Sequence, residues 1–222
     1  MNDPDHASRD EGSPRLLLCF AVREEASGLP RMIREENSFK VLITGMGSHN
    51  ARRAVEEALR RERTRGVISG GFAGGLNPDL PVGTVLFEGD AGGGMEERLE
   101  RAGARRGRFA SSPRVLITRE EKRVLWRSSG ADAVEMESAP IREVCAQHGL
   151  RCLTLRVISD GANEDLPMDF NECLSENSRL RPGRILMSLL RSPGRIGGLL
   201  RLQRQTRRAA ARLGVVLAEV VP

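Results

Sequence analysis

Short apolar runs that stop at glycine or at a carboxylate, separated by segments of helical spacing, constrain this 222-residue chain more than any other feature. Arg15 to Val22, opened by Leu16-Leu17-Leu18-Cys19-Phe20, reads as a first strand. Phe39 to Thr44 reads as a second, ending at Gly45-Met46-Gly47. Ser48 fits a helix N-cap, and Ala51, Val55, Ala58 and Leu59 on one face predict a helix to about Arg63. Gly66 to Ser69 is a short buried strand entering the glycine stretch Gly70 to Leu76, and Val82 to Glu88 is another strand. Thr118 with Glu121 makes a capping box for a helix through about Ser128, which Gly130 stops. A strand at Ala133 to Glu135, a helix at about Pro140 to His148 and a strand at Cys152 to Ile158 follow. Strands alternating with helices over this length predict an α/β sheet covered on both faces.

The remaining segments carry weaker patterns. Asp90 to Pro113 is Gly- and Arg-rich with little periodicity and reads as an exposed excursion. Gly161 to Asn171 reads as a loop, and Leu186 to Leu190 and Ile196 to Leu217 as helical. The expected organisation is a disordered lead over 1–14, a core over 15–175, and a basic helical tail over 176–222 that completes one domain.

Charge and composition exclude several functions. From residue 177 onward there are ten arginines and one acid, Glu219, whereas the preceding body is mildly acidic. Aromatic residues make up 3% with no tyrosine, so stacking platforms for nucleic acid are scarce and no nucleic-acid partner is expected. Cys19, Cys145, Cys152 and Cys173 show no C-x-x-C spacing, and the three histidines form no motif with them, so no metal is expected. No stretch is apolar enough to span a membrane, and a cytoplasmic protein with reduced thiols is the expectation.

Several constellations could carry chemistry. Gly70 to Gly75 lets backbone approach a ligand or turn sharply, but it lacks the G-x-G-x-x-G pattern of a dinucleotide site. Gly45-Met46-Gly47-Ser48 ends a strand and opens a helix, which suits a phosphate or sugar oxygen and equally suits a plain tight turn. Glu135 and Glu137 are two residues apart, so in extended chain both would point one way and Met136 the other. Glu137 could bind sugar hydroxyls or merely cap the next helix. Asp160 ends an apolar strand, where carboxylates face the ligand crevice of α/β sheets, or it closes an Asx-turn. Glu24 and Glu25 lie at the same edge, either as site groups or as the acidic first turn of a helix.

The stretches Ser69-Gly70-Gly71-Phe72-Ala73-Gly74-Gly75-Leu76-Asn77-Pro78, Val82-Gly83-Thr84-Val85, Val134-Glu135-Met136-Glu137-Ser138-Ala139 and Arg156-Val157-Ile158-Ser159-Asp160 occur in that order. Together they resemble the purine nucleoside phosphorylase and nucleosidase superfamily, whose members cleave the N-glycosidic bond of nucleosides. The similarity runs from about residue 15 to 175. It is strongest to the branch containing methylthioadenosine/S-adenosylhomocysteine nucleosidases, futalosine hydrolases and hopanoid-associated phosphorylase-like proteins.

The resemblance implies a single-domain three-layer sandwich with a mixed central β-sheet flanked by helices. It also implies release of adenine from a 5′-modified adenosine, with adenosylhopane as one candidate substrate. Futalosine hydrolysis, general purine nucleoside phosphorolysis and a non-catalytic nucleoside-binding role are the alternatives. In this resemblance Asp160 protonates N7 of the departing purine, and Glu25 positions water. Glu137 clamps the ribose hydroxyls with Glu135 beside it, and Met136 packs on the sugar. Phe72, Ala73 and Gly74 line the base pocket, Thr118 with Ile117 meets the base edge, and Gly47 lies on the water or anion side. Water or inorganic phosphate is the acceptor, with Arg23 and Arg156 as candidates for an anion site, and no other cofactor is implied. The short 88–115 excursion implies an open 5′ side. A homodimer is implied, and the arginine-rich tail reads either as a solvated final helix or as a peripheral contact with an anionic membrane through 181–212, on its inner face.

Overall fold

The leucine run near the start of the chain decides the layering. In β1 (Arg15–Phe20), Leu16, Leu18 and Phe20 are buried on one side and Leu17 and Cys19 on the other. A strand covered on both faces needs this unbroken apolar run. The computed structural model describes residues 15–31, 33, 38–173 and 193–220. The elements after β1 are β2 (Phe39–Ile43), α1 (Ser48–Arg61), β3 (Thr64–Gly75), β4 (Val85–Gly89), α2 (Met95–Arg101), β5 (Arg105–Arg106) and β6 (Phe109–Ser111). Then come α3 (Arg119–Ser129), β7 (Ala133–Glu135), α4 (Ser138–Gln147), β8 (Cys152–Asp160) and α5 (Ile196–Val220).

One mixed sheet runs in the order β2-β1-β3-β8-β4-β5, with β7 and β6 added beyond the end of β1. β2, β1, β3 and β8 are parallel, and β4 runs antiparallel to β8. Ala51 and Val55 of α1 with Ile141, Val144 and Cys145 of α4 cover the Leu17 side. Met95 and Leu99 of α2 with Ala209, Leu213, Val216 and Leu217 of α5 cover the Leu16 side. The three-layer α/β sandwich expected from the sequence is therefore the observed architecture.

Three local expectations differ, and a fourth falls outside the described residues. The glycine stretch Gly70–Gly75 is the second half of one 12-residue strand, β3, and not a loop. The 90–113 excursion contains α2, β5 and β6, and Met95, Leu99 and Ala104 enter the core: Met95 and Leu99, four residues apart, share one face of the short helix, and Ala104 follows it. The N-cap of α1 is Gly47, while the Ser48 hydroxyl donates to the Met136 carbonyl at 3.2 Å. The segment Leu186–Leu190 lies outside the described residues. The capping box at Thr118 and the left-handed Gly130 stop form as expected.

Strand length positions the site. β1 pairs with β3 only as far as Ser69, which leaves the last turns of β3 open on that side. β7 fills the gap antiparallel, placing Val134 beside Gly74. On the other side β8 pairs with β3 in register as far as Ala73 and Ile158, and a one-residue register shift then puts Asp160 opposite Gly74. One glycine thus has the Glu135–Glu137 segment on one flank and Asp160 on the other.

The tail closes the molecule through two glycines. A Cβ on Gly214 would lie 1.8 Å from the Gly28 carbonyl oxygen, and one on Gly28 would lie 1.9 Å from the Ala210 carbonyl oxygen. Helix α5 therefore crosses the short 3-10 turn Glu25–Gly28 backbone against backbone, and this contact seats Glu25.

Candidate active site

A cavity of about 540 Å³ opens where β3, β7 and β8 end. On one wall lie Glu25, Glu135, Met136 and Glu137, and across from them Asp160, with Phe72, Ala73 and Gly74 between. The sequence-predicted residues that line this cavity are therefore Glu25, Phe72, Ala73, Gly74, Glu135, Met136, Glu137 and Asp160. A further apolar side is made by Val115, Leu116, Leu166 and Phe170, with Leu199 and Leu202 from α5.

Glu25 is buried, and its carboxylate accepts the amides of Ala21 at 2.8 Å, Val22 at 3.1 Å and Phe72 at 2.8 Å. A side chain at Gly71 would collide with it, since a Cβ there would sit 2.5 Å from Oε1. Burial nevertheless pushes its carboxyl above the ordinary value, against the opposing Arg156 charge and these amides.

Glu137 accepts the Gly47 amide on Oε1 at 2.8 Å. The Gly45–Gly47 turn thus positions a carboxylate, and its amide is committed within the protein and not open to an anion. Burial is the main cause that pushes the Glu137 carboxyl up to about 7, with Glu25 and Glu135 adding to it and Arg156 opposing. Glu135 has a different environment. Its carboxylate accepts the Glu137 and Ser138 amides at 2.9 and 2.6 Å, the Ser138 hydroxyl at 2.7 Å and Arg156 at 2.9 Å. Burial would raise it, but Arg156 and these donors outweigh burial and hold it below the ordinary value. Its acceptor capacity is largely spent on holding the start of α4 and Arg156.

Arg156 is 2% exposed and donates to the Ser69 carbonyl at 2.7 Å and the Ser69 hydroxyl at 3.0 Å besides Glu135. It is a buried counter-charge to three glutamates, and Glu135, Glu137 and Glu25 together raise its affinity for its proton despite the opposing burial. The sequence placed it with Arg23 as a candidate for an anion site. Arg23 is exposed and borders a separate groove with Leu29, Ile33 and Phe39, so the two do not meet.

Asp160 is buried at the cavity edge, accepting the Ser159 hydroxyl on Oδ1 at 2.7 Å and Lys122 Nζ on Oδ2 at 2.5 Å. Lys122 had no place in the sequence reading because Glu120, Glu121 and Arg123 around it look like a solvated face. The available signal was spacing: Lys122 precedes Leu125 and Trp126 by three and four residues, on the apolar side of α3. Thr118 lies outside the cavity wall. Its hydroxyl accepts the Glu121 amide at 3.2 Å and its own amide donates to Glu121, so the N-cap consumes it. Val115 and Leu116 line the wall in its stead. Among the described residues no cluster fit for a metal ion occurs.

The chain is similar to known proteins in part of its sequence and in its fold. Residues 93–191 match the family model described as the phosphorylase superfamily. Over 72 residues the chain is 39% identical to an aminodeoxyfutalosine nucleosidase of Helicobacter pylori, an alignment that takes in 32% of this chain and 31% of that protein's length. It is 36% identical over 66 residues to a 5′-methylthioadenosine/S-adenosylhomocysteine nucleosidase of Exiguobacterium, covering 30% of this chain and 28% of the relative. The chain thus spans about a third of the length of these curated relatives. In fold it resembles the solved futalosine hydrolase of Helicobacter pylori, with a TM-score of 0.68, 16% identity, and 94% of this chain and 97% of that one covered.

Proposed function

We propose that the chain, which matches the phosphorylase superfamily model over residues 93–191, is a member of that superfamily that hydrolyses the N-glycosidic bond of a 5′-substituted adenosine and releases adenine. The observation that carries the proposal is one cavity with Asp160 on one wall and the Glu25–Glu137 pair on the other. A purine between them would meet a proton donor at its leaving nitrogen side while the sugar faces carboxylates.

The roles follow from charge. As the bond from C1′ to the base loosens, positive charge develops on the ribose, and Glu25 and Glu137 stabilise it electrostatically. Glu137 accepts ribose hydroxyls, and Met136 packs on the sugar. Asp160 protonates the base, as a leaving group that departs neutral requires. Glu25 takes the proton of the attacking water. Glu135 and Arg156 position Glu137 and the start of α4.

Water is favoured over phosphate as acceptor. Three glutamates surround Arg156, whose terminal nitrogens are committed within the protein, and such a wall repels an anion. The names of the curated relatives support an aminodeoxyfutalosine- or methylthioadenosine-type nucleoside over adenosylhopane. The Leu166, Phe170, Leu199 and Leu202 wall supports an apolar 5′ substituent. Two assembly proposals accompany this reading. One is a cytoplasmic homodimer. The other is contact with anionic membrane through the start of α5, where exposed Ile196 and Leu200 adjoin Arg195, Arg201 and Arg204.

Incubation with adenosine, 5′-methylthioadenosine and aminodeoxyfutalosine, with and without phosphate, tests the reaction. Free adenine without phosphate is expected, and Asp160→Asn should abolish it. Release only with phosphate overturns hydrolysis, and undiminished release by Asp160→Asn overturns the assigned acid.

A further inference from the structure

The lysine behind Asp160 has a geometry that a surface charge does not need. Its side chain is 1% exposed, and Nζ makes three contacts, to Asp160 Oδ2 at 2.5 Å, the Gly161 carbonyl at 2.9 Å and the Glu164 carbonyl at 3.0 Å. An ammonium has three donors, so all are used, and among the described residues its ionic partner is the carboxylate facing the cavity. Burying an ammonium costs several kcal/mol in general unless paired. Neutral donors would have satisfied Asp160 without that cost.

We propose that Lys122 is a positioning residue for the leaving-group acid: it holds Asp160 at the cavity edge and hands it the proton that the departing purine takes up. The inference rests on the glycosidase reading above. In the step, the bond from C1′ to the base breaks with its electron pair going to the purine. The purine takes a proton from Asp160, and Asp160 takes one from Lys122 Nζ, leaving a neutral amine. Water adds hydroxide to C1′ and its other proton goes to Glu25. After adenine leaves, Glu25 loses a proton to solvent and Lys122 regains one, so the cycle closes without net change in the protein. The two carbonyls hold the nitrogen in line with Oδ2 through both protonation states of Asp160. Ser159 on Oδ1 fixes the carboxyl rotation.

Adenine release by wild type, Lys122→Met and Lys122→Arg tests the inference, with 4-nitrophenyl riboside as a second probe because its leaving group departs as an anion. Arginine keeps a positive charge but does not give up its proton. For the adenosine substrate, Lys122→Met and Lys122→Arg are both expected to lose about 100-fold or more in kcat with KM changed by less than about threefold. Nitrophenolate release should change by less than about threefold. Melting followed by circular dichroism separates misfolding from the effect sought. Equal loss on both leaving groups, recovery of kcat by Lys122→Arg, or an unimpaired Lys122→Met overturns the inference alone. If wild type releases no nitrophenolate, the Met and Arg variants on the adenosine substrate decide. Wild type that releases no adenine overturns the glycosidase reading and this inference with it.

Discussion

Glu137→Gln should stabilise the protein at pH 8 while impairing its proposed reaction. The carboxyl of Glu137 moves from an ordinary value of 4.5 to about 7 on folding, chiefly because it is buried beside Glu25 and Glu135. The sign follows from linkage: the folded state holds this proton more tightly, so stability is full below pH 4.5 and is lost as pH rises through 7. At about 1.4 kcal/mol per pH unit, ionisation of Glu137 costs the native state about 3 kcal/mol at pH 8. Glutamine removes the charge, and its amide oxygen can still accept the Gly47 amide. The variant should therefore melt roughly 6–12 °C above wild type at pH 8 and close to it at pH 4.5. Loss of a charged acceptor for ribose hydroxyls should lower kcat/KM by about ten- to a hundred-fold. Melting curves of both proteins from pH 4.5 to 8, followed by circular dichroism, measure the first effect. A difference that does not grow with pH, or a variant less stable at pH 8, refutes the reasoning.

Other perturbations probe the frame around the site. Gly214→Ala puts a methyl into the Gly28 carbonyl, so it should cost about 1–3 kcal/mol in urea unfolding and lower kcat by displacing Glu25. Arg156→Met leaves Glu135 buried and unpaired and should cost about 3–5 kcal/mol in urea unfolding at pH 7, with less loss at acid pH. Thr118→Ala removes the capping box and should cost about 1 kcal/mol in thermal unfolding with KM unchanged, because Thr118 is outside the cavity.

Local chemistry made some elements readable. The capping box at Thr118, the Gly130 stop and the apolar runs of β1 and β8 depend on neighbours in the chain, and each formed where spacing placed it. The glycine stretch, open in sequence to a close backbone approach or a sharp turn, was not read as strand because glycine weakens strand propensity, and only pairing with β8 and β7 holds Gly70–Gly75 extended. The 90–113 segment was misread because its few apolar residues gain meaning only against α5 and the sheet. Lys122 was invisible for the related reason that a charge buried by tertiary contacts has the same letter as one in water.

By itself the sequence determined the alternation of strands and helices, the two covered faces of the sheet and the identity of the acidic residues at strand ends, because periodicity and capping are properties of contiguous chain. Tertiary structure alone decided which carboxylate faces the cavity unspent, which is consumed by Arg156, and which is held by a buried ammonium. Those outcomes depend on desolvation and on partners 21 to 90 residues away in the chain. No local pattern encodes such distances.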